Sequence, residues 1–136
     1  MPLLLPFLLA PASTFCTRQL MLPDVGVWFR LLLLAPLLEE WVVRAGLQEW
    51  LIVVTARAPA TSTRRRSGMS AAPALPVLVS AAAFGLLHLG SGWPAALAVT
   101  APGLVLALLY QRGRDWRWCA LVHGLFNLFA LTVCIR

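Results

Sequence analysis

Residues 25–58 read VGVWFRLLLLAPLLEEWVVRAGLQEWLIVVTARA, and this stretch decides the fold. It is long and apolar enough to cross a bilayer, yet Glu39, Glu40 and Arg44 place three full charges near its middle. A charged side chain at the centre of a membrane costs roughly 2.5–3.5 kcal/mol on insertion scales, so such groups are rarely found there without a role. The stretch therefore predicts a membrane helix that carries a functional polar cluster.

The spacing of the three charges assigns them different tasks. On a helix Glu40 and Arg44 are i,i+4 neighbours in the acid-first order that pairs best, whereas Glu39 lies about 100° further round the axis. We expect an ion pair between Glu40 and Arg44 that lowers the cost of burial, and a Glu39 carboxylate left free for chemistry. The alternative, a surface helix with a solvated charge pair, is disfavoured by the flanking LLLLAPLL and WLIVV.

Composition indicates the class of protein. The chain has 136 residues, of which 60% are hydrophobic and 12% charged, with a mean hydropathy of +0.82; soluble domains average about 25% charged residues. All basic residues are arginines, and most lie in loops between apolar stretches. The net charge of +6 therefore reports membrane orientation rather than a nucleic-acid partner. The three cysteines have no metal or redox spacing and are expected to be small apolar fillers.

The predicted architecture is all-α: a polytopic membrane helical bundle in a single domain, 1–136, with its motif-bearing core in 25–136. Four transmembrane helices are predicted at 25–58, 75–89, 95–110 and 119–135, with a hydrophilic loop at 59–73 and a basic turn at 111–117. Asp24 is the expected N-cap of the first span, and Pro102-Gly103 predicts a kink in the third. The hydrophobic segment 1–24 is interpreted as a short, irregular fifth helix, the alternative being a cleaved signal.

Orientation follows from the loops. Seven arginines fall in two loops separated by two spans, so both loops lie on one side, which the positive-inside rule makes cytoplasmic. Tryptophans flank the predicted spans at both ends, as interfacial belts would place them.

Polar residues recur inside the later spans. Phe84 and His88 lie on one helical face, and His123 and Asn127 lie one turn apart on another. These are the only two histidines of the chain. Buried imidazoles must find partners away from lipid, although helix packing alone is an alternative. By residue count the two histidines differ in depth by roughly 10 Å, so they meet only if the last helix begins earlier, near Arg114, or if a span tilts or kinks.

These motifs resemble a known family. Glu39-Glu40-x-x-x-Arg44, Phe84-x-x-x-His88 and His123-x-x-x-Asn127, in this order, are similar to the signature of the CPBP intramembrane proteases, which include the type II CAAX prenyl endopeptidases and the Abi-like bacteriocin-processing proteins. The resemblance implies an all-helical membrane core that cleaves a peptide bond near the C-terminus of a substrate. It also implies roles for the site residues. Glu39 and His88 would activate the attacking water, His123 and Asn127 would stabilise the oxyanion, and Glu40, Arg44 and Phe84 would support the site.

The chain is short for that family, and Ala45 precedes Gly46 where many members have glycine directly after the arginine. We therefore expect a compact bacterial member of the inner membrane, dedicated to a C-terminal sorting signal. Its expected partners are a protein or peptide substrate with a membrane-associated C-terminal segment, and membrane lipids.

The residue types are consistent with peptide hydrolysis even without the resemblance to a family. Peptide hydrolysis needs an activated water and donors directed at the developing oxyanion; a glutamate and a neutral histidine can share the water, and Asn127 offers a donor without a charge. A zinc site is the alternative, because Glu39, His88 and His123 form a His₂Glu set. Since no H-E-x-x-H helix is present and asparagine is a poor zinc ligand, no cofactor is the favoured reading.

A function from another class stays open: a non-catalytic immunity factor or a transporter or channel subunit. In such a protein the same polar residues would form a helix-packing network or an ion path.

Overall fold

The computed structural model describes residues 24–57 and 74–134, and within these residues the chain is helical apart from short turns, with no strand. Helix α1 runs over 25–57, α2 over Ala74–Leu87, α3 over Trp93–Gly113 and α4 over Trp116–Cys134. A 3₁₀ turn, Leu89–Ser91, joins α2 to α3. The predicted all-α class is thus confirmed for this part of the chain.

Helix α1 is continuous but not uniform. Its segments Arg30–Leu34 and Trp41–Gln48 have π-helical hydrogen bonding, in which each N–H reaches the carbonyl five residues back. In the first segment Ala35 N–H donates to Arg30 O, so with the same five-residue spacing Leu31 O would accept the N–H of residue 36. That residue is proline and has no N–H. The carbonyl of Leu31 is therefore left for a partner outside the helix.

Two glycines determine how the helices pack. Helices α2 and α3 form a hairpin whose turn requires Gly92, which has φ +92°, a conformation that only glycine adopts readily. Helix α4 packs on the N-terminal half of α1, and there a Cβ on Gly124 would lie 2.6 Å from Leu32 O. Glycine at this position lets the two backbones approach closely enough for side chains of α4 to reach the polar middle of α1.

The surface of the bundle is apolar. Large hydrophobic side chains are exposed on all four helices, among them Trp41, Trp50, Leu97 and Phe129, and the fully buried apolar core is small, with Leu106, Tyr110 and Cys119 at its centre. Of the described helices, α3 alone combines the length and the apolar composition of a membrane span; α2 is apolar but shorter. The prediction of four spans is therefore not confirmed by this measure.

The predicted helix bounds hold to within a few residues, with one consequential difference. Helix α4 begins at Trp116 rather than at residue 119, because the Asp115 carboxylate accepts the backbone N–H of Arg117, at 2.9 Å, and starts the helix inside the predicted basic turn. Asp24 does stand at the start of α1, but through its backbone carbonyl and not its carboxylate. Helix α3 continues through Pro102. The predictions for 1–24 and for the loop 59–73 fall outside the described residues, save Asp24.

Candidate active site

Three polar side chains in the middle of α1 are completely buried. Glu40, Arg44 and Gln48 are all 0% exposed, although each is polar and they recur every four residues. The predicted ion pair is present: Arg44 Nε donates to Glu40 Oε2 at 2.7 Å. Removing such charges from water is offset only when the geometry is good and every remaining donor finds a partner.

The other donors of Arg44 reach two neighbouring helices. Nη1 donates to the hydroxyl of Ser80 on α2, which is also 0% exposed, and Nη2 donates to Gly103 O on α3 at 3.1 Å. One turn further along α1, Gln48 Nε2 donates to Ala107 O at 2.8 Å. The stripe on α1 thus fixes this helix against α2 and α3.

His123 lies between the two adjacent glutamates. Its Nδ1 is 3.1 Å from Glu40 Oε1, and its Nε2 is 3.8 Å from Glu39 Oε2. Because the Glu40 carboxylate is acceptor-only and already paired with Arg44, we assign the Nδ1 proton to the imidazole. The ring is therefore held with Nε2 towards Glu39, in the way that a carboxylate orients a catalytic histidine.

Glu39 differs from its neighbour in having no fixed partner. Its Oε2 is buried but makes no hydrogen bond to any described residue, since 3.8 Å to His123 is too long for one. A buried oxygen without a partner is costly and is the natural contact point for a water or a substrate. The expectation that Glu39 is the free carboxylate agrees with this arrangement.

Phe84 brings the two histidines together. Its ring centroid is 5.0 Å from that of His88 and 5.3 Å from that of His123, with an edge-to-face arrangement in the second case; the Arg44 guanidinium lies over the same ring at 5.6 Å. The two histidines therefore meet, which the sequence allowed if the last helix began before residue 119 or if a span tilted or kinked. The first of these conditions is fulfilled, since α4 begins at Trp116.

His88 is arranged to offer a lone pair. Its Nδ1 is 2.9 Å from Phe84 O, and since a carbonyl only accepts, the proton must be on Nδ1 and the neutral ring keeps Nε2 as its acceptor. His88 is also near enough to interact electrostatically with Glu39. The two histidines thus share the Phe84 ring, and Glu39 lies near both of them.

Asn127 makes a hydrogen bond to α1 that its spacing from His123 did not predict. Its Nδ2 donates to Leu31 O at 2.8 Å, the carbonyl that Pro36 leaves without a donor. Asn127 therefore ties α4 to α1 one turn away from His123. Its amide keeps one further hydrogen.

Residues that sequence reasoning missed are mostly anchors. Gln48 and Ser80 contact Arg44. A separate cluster around Glu49, in the last third of α1, joins this helix to α3 and to the turn after α3. There Tyr110 Oη donates to Glu49 Oε2 at 2.8 Å and Arg114 Nη2 donates to Glu49 Oε1 at 2.5 Å. A polar residue four positions after Arg44 was the only available signal for Gln48.

The zinc alternative fits the described residues poorly. No group of three His, Cys, Asp or Glu side chains in the described part of the chain is placed to hold a metal ion together. Structural zinc ligands lie about 2.0–2.3 Å from the metal and must converge.

Fold and site together define a helical bundle with an apolar surface, one helix with the length and composition of a membrane span, and a buried cluster of titratable side chains. A family model described as type II CAAX prenyl endopeptidase Rce1-like matches residues 21–129, most of the chain. The chain therefore belongs to this family, whose members are integral membrane proteases. The predicted resemblance is confirmed. Neither a curated protein nor a solved structure gives a significant match.

Proposed function

We propose that this protein is an intramembrane endopeptidase that hydrolyses a peptide bond near the C-terminus of a membrane-associated protein or peptide. The observation that carries the proposal is the contrast between the two adjacent glutamates: Glu40 is fully paired, whereas the buried Glu39 Oε2 has no hydrogen bond within the described residues and is flanked by two imidazoles. An unpaired carboxylate beside histidine is the arrangement that general-base catalysis needs.

In the proposed reaction the oxygen of a water molecule bonds to the scissile carbonyl carbon while Glu39 accepts the proton. Nε2 of His88 accepts the other hydrogen of that water as a hydrogen bond and so orients it. The Glu39 carboxyl then gives this proton to the leaving amine as the C–N bond breaks, which restores the Glu39 carboxylate. Glu40 keeps the His123 ring in place throughout.

Oxyanion stabilisation is assigned to His123 and Asn127. When His123 carries a proton on both nitrogens, Nε2–H is a donor, and Asn127 has one amide hydrogen beyond that given to Leu31 O. One such donor contributes about 10²–10³ in rate where it has been measured.

We further propose that all four described helices cross the inner membrane of a bacterium, with the arginine-rich loops in the cytoplasm. Exposed large apolar side chains on each helix support this, as does the positive-inside rule. Helix α1 can cross the membrane because its two fully buried charges, on Glu40 and Arg44, are paired with each other.

The decisive experiment measures cleavage of an internally quenched peptide with a farnesylated CAAX end by the purified chain in detergent. We expect Glu39→Gln to cleave 10²–10⁴-fold more slowly, the usual contribution of a general base. Glu49→Gln is the matched control on the same helix and should stay near the wild-type rate. A wild-type rate in Glu39→Gln would refute the mechanism.

Two further arms define substrate and cofactor. The same peptide without the farnesyl group tests whether the substrate must be prenylated. We expect 1,10-phenanthroline to leave the rate unchanged; an inhibition that added Zn²⁺ reverses would contradict a metal-free mechanism.

A non-catalytic membrane protein is the second candidate, because Gln48 and Asn127 both donate their amides to backbone carbonyls of other helices, as packing contacts do. This reading predicts that Glu39→Gln retains full biological function in the cell. The protease reading predicts its loss.

A further inference from the structure

A groove on the lipid-facing side of the bundle lies between α1 and α4. It has a volume of about 400 Å³, and its walls are leucines of both helices, with Ala120 and Gly124 along α4 and Arg117 at one end. The wall residues Leu33, Leu121 and Leu125 are about half exposed. The groove is therefore open sideways, towards the surrounding bilayer.

The length of the groove matches one leaflet. On α4 it extends from Arg117 to Leu128, which at 1.5 Å per residue is roughly 16 Å. The hydrocarbon core of a bilayer is about 30 Å thick, so the groove has the reach of a single acyl chain.

The arginine end lies at the depth of lipid headgroups. Arg117 stacks against the Trp116 ring at 5.9 Å, and Trp118 beside it is 61% exposed; tryptophans at helix ends mark the membrane–water boundary. Among the described residues the Arg117 guanidinium has no carboxylate partner, since Asp115 accepts the backbone N–H of Arg117. Arg114, by contrast, is paired with Glu49.

We propose that this groove is a binding site for an anionic phospholipid, with one acyl chain between α1 and α4 and the phosphate on Arg117. Lipid tails are as apolar as leucine, so the groove walls by themselves give little selectivity. The selectivity for anionic lipid comes from the unneutralised charge of Arg117. This inference rests on the proposed membrane crossing of the four helices and is independent of the proposed hydrolysis.

The test is native mass spectrometry of the full chain released from detergent with dioleoyl phosphatidylglycerol or dioleoyl phosphatidylcholine. We expect one retained phosphatidylglycerol, preferred over phosphatidylcholine by about fivefold, the factor that corresponds to one interfacial basic residue. Arg117→Gln should remove this preference. Arg112→Gln, an exposed arginine of the same region that does not line the groove, should keep it.

A second pair of variants tests the acyl-chain part. Leu125→Trp fills the groove and should lower retention of both lipids, whereas Leu97→Trp, on the exposed face of α3, should not. The proposal is overturned if Arg117→Gln and Leu125→Trp both retain phosphatidylglycerol as the wild type does, or if Arg112→Gln loses it equally. It is also overturned if the groove variants alter binding of a farnesylated peptide only, since the groove would then hold a substrate chain.

Discussion

Two polar regions lie side by side in this bundle and differ in how fully their atoms are paired. Around Arg44 a carboxylate, a hydroxyl, an amide and a backbone carbonyl accept its N–H groups. Around Glu39 the contacts are longer and Oε2 has no hydrogen bond to a described residue. A saturated network can only hold helices together, while an unsaturated one has atoms available for a reaction. This difference indicates that Glu39, rather than the chemically identical Glu40 beside it, is the glutamate to assign to catalysis.

The largest expected effect falls on the unsaturated region. We expect His88→Asn to slow cleavage of the farnesylated peptide by 10²–10⁴-fold, because the shorter asparagine side chain has no acceptor at the position of Nε2 and so cannot orient the water. The free energy of unfolding in detergent should change little, since His88 makes one hydrogen bond, to its own helix. A large loss of stability with an unchanged rate would reverse the assignment of the two regions.

On the saturated side, Arg44→Met should lower the free energy of unfolding by about 3–5 kcal/mol, the usual cost of removing one partner of a buried pair. Glu40 would be left buried and without its counter-charge. Arg114→Met is the control, because the Arg114–Glu49 pair is about a third exposed and such pairs contribute about 0–1 kcal/mol. Denaturant titration monitored by circular dichroism measures both. Equal losses in the two variants would contradict the comparison.

Asn127 has two proposed roles, as an anchor to Leu31 O and as an oxyanion donor. A double substitution separates them. Asn127→Leu should cost about 1–3 kcal/mol, because Leu31 O becomes unpaired. Adding Pro36→Ala supplies an N–H in register with that carbonyl and should restore much of the stability. If Asn127 also serves the oxyanion, cleavage stays low in the double variant. Recovery of both quantities would make Asn127 an anchor only.

The smallest expected effect lies at the far end of α1. Tyr110→Phe removes the hydrogen bond to Glu49 and should lower the free energy of unfolding by about 0.5–1.5 kcal/mol, with the cleavage rate unchanged. A fall in rate larger than the fall in stability would extend the reactive region to this cluster.

Prediction from sequence succeeded for the local pair Glu40–Arg44, because i,i+4 neighbours meet on any helix. The non-local gathering of both histidines near Glu39 was indicated by a different argument, the cost of leaving them in lipid. The start of α4 was placed at residue 119 because Asp115 was interpreted as part of a basic turn, although the earlier start that lets the two histidines meet was among the stated alternatives.

The sequence alone determined the helical class and the Glu40–Arg44 ion pair, since these depend on composition and on spacing along one helix. Its three motifs also carried the resemblance to the family and named the residue types of the site. Only the tertiary structure decided that Gln48 reaches Ala107 O and that Asn127 reaches Leu31 O. The physical reason is that every residue carries a backbone carbonyl. An acceptor on another helix therefore has no signature in the sequence and is selected by packing.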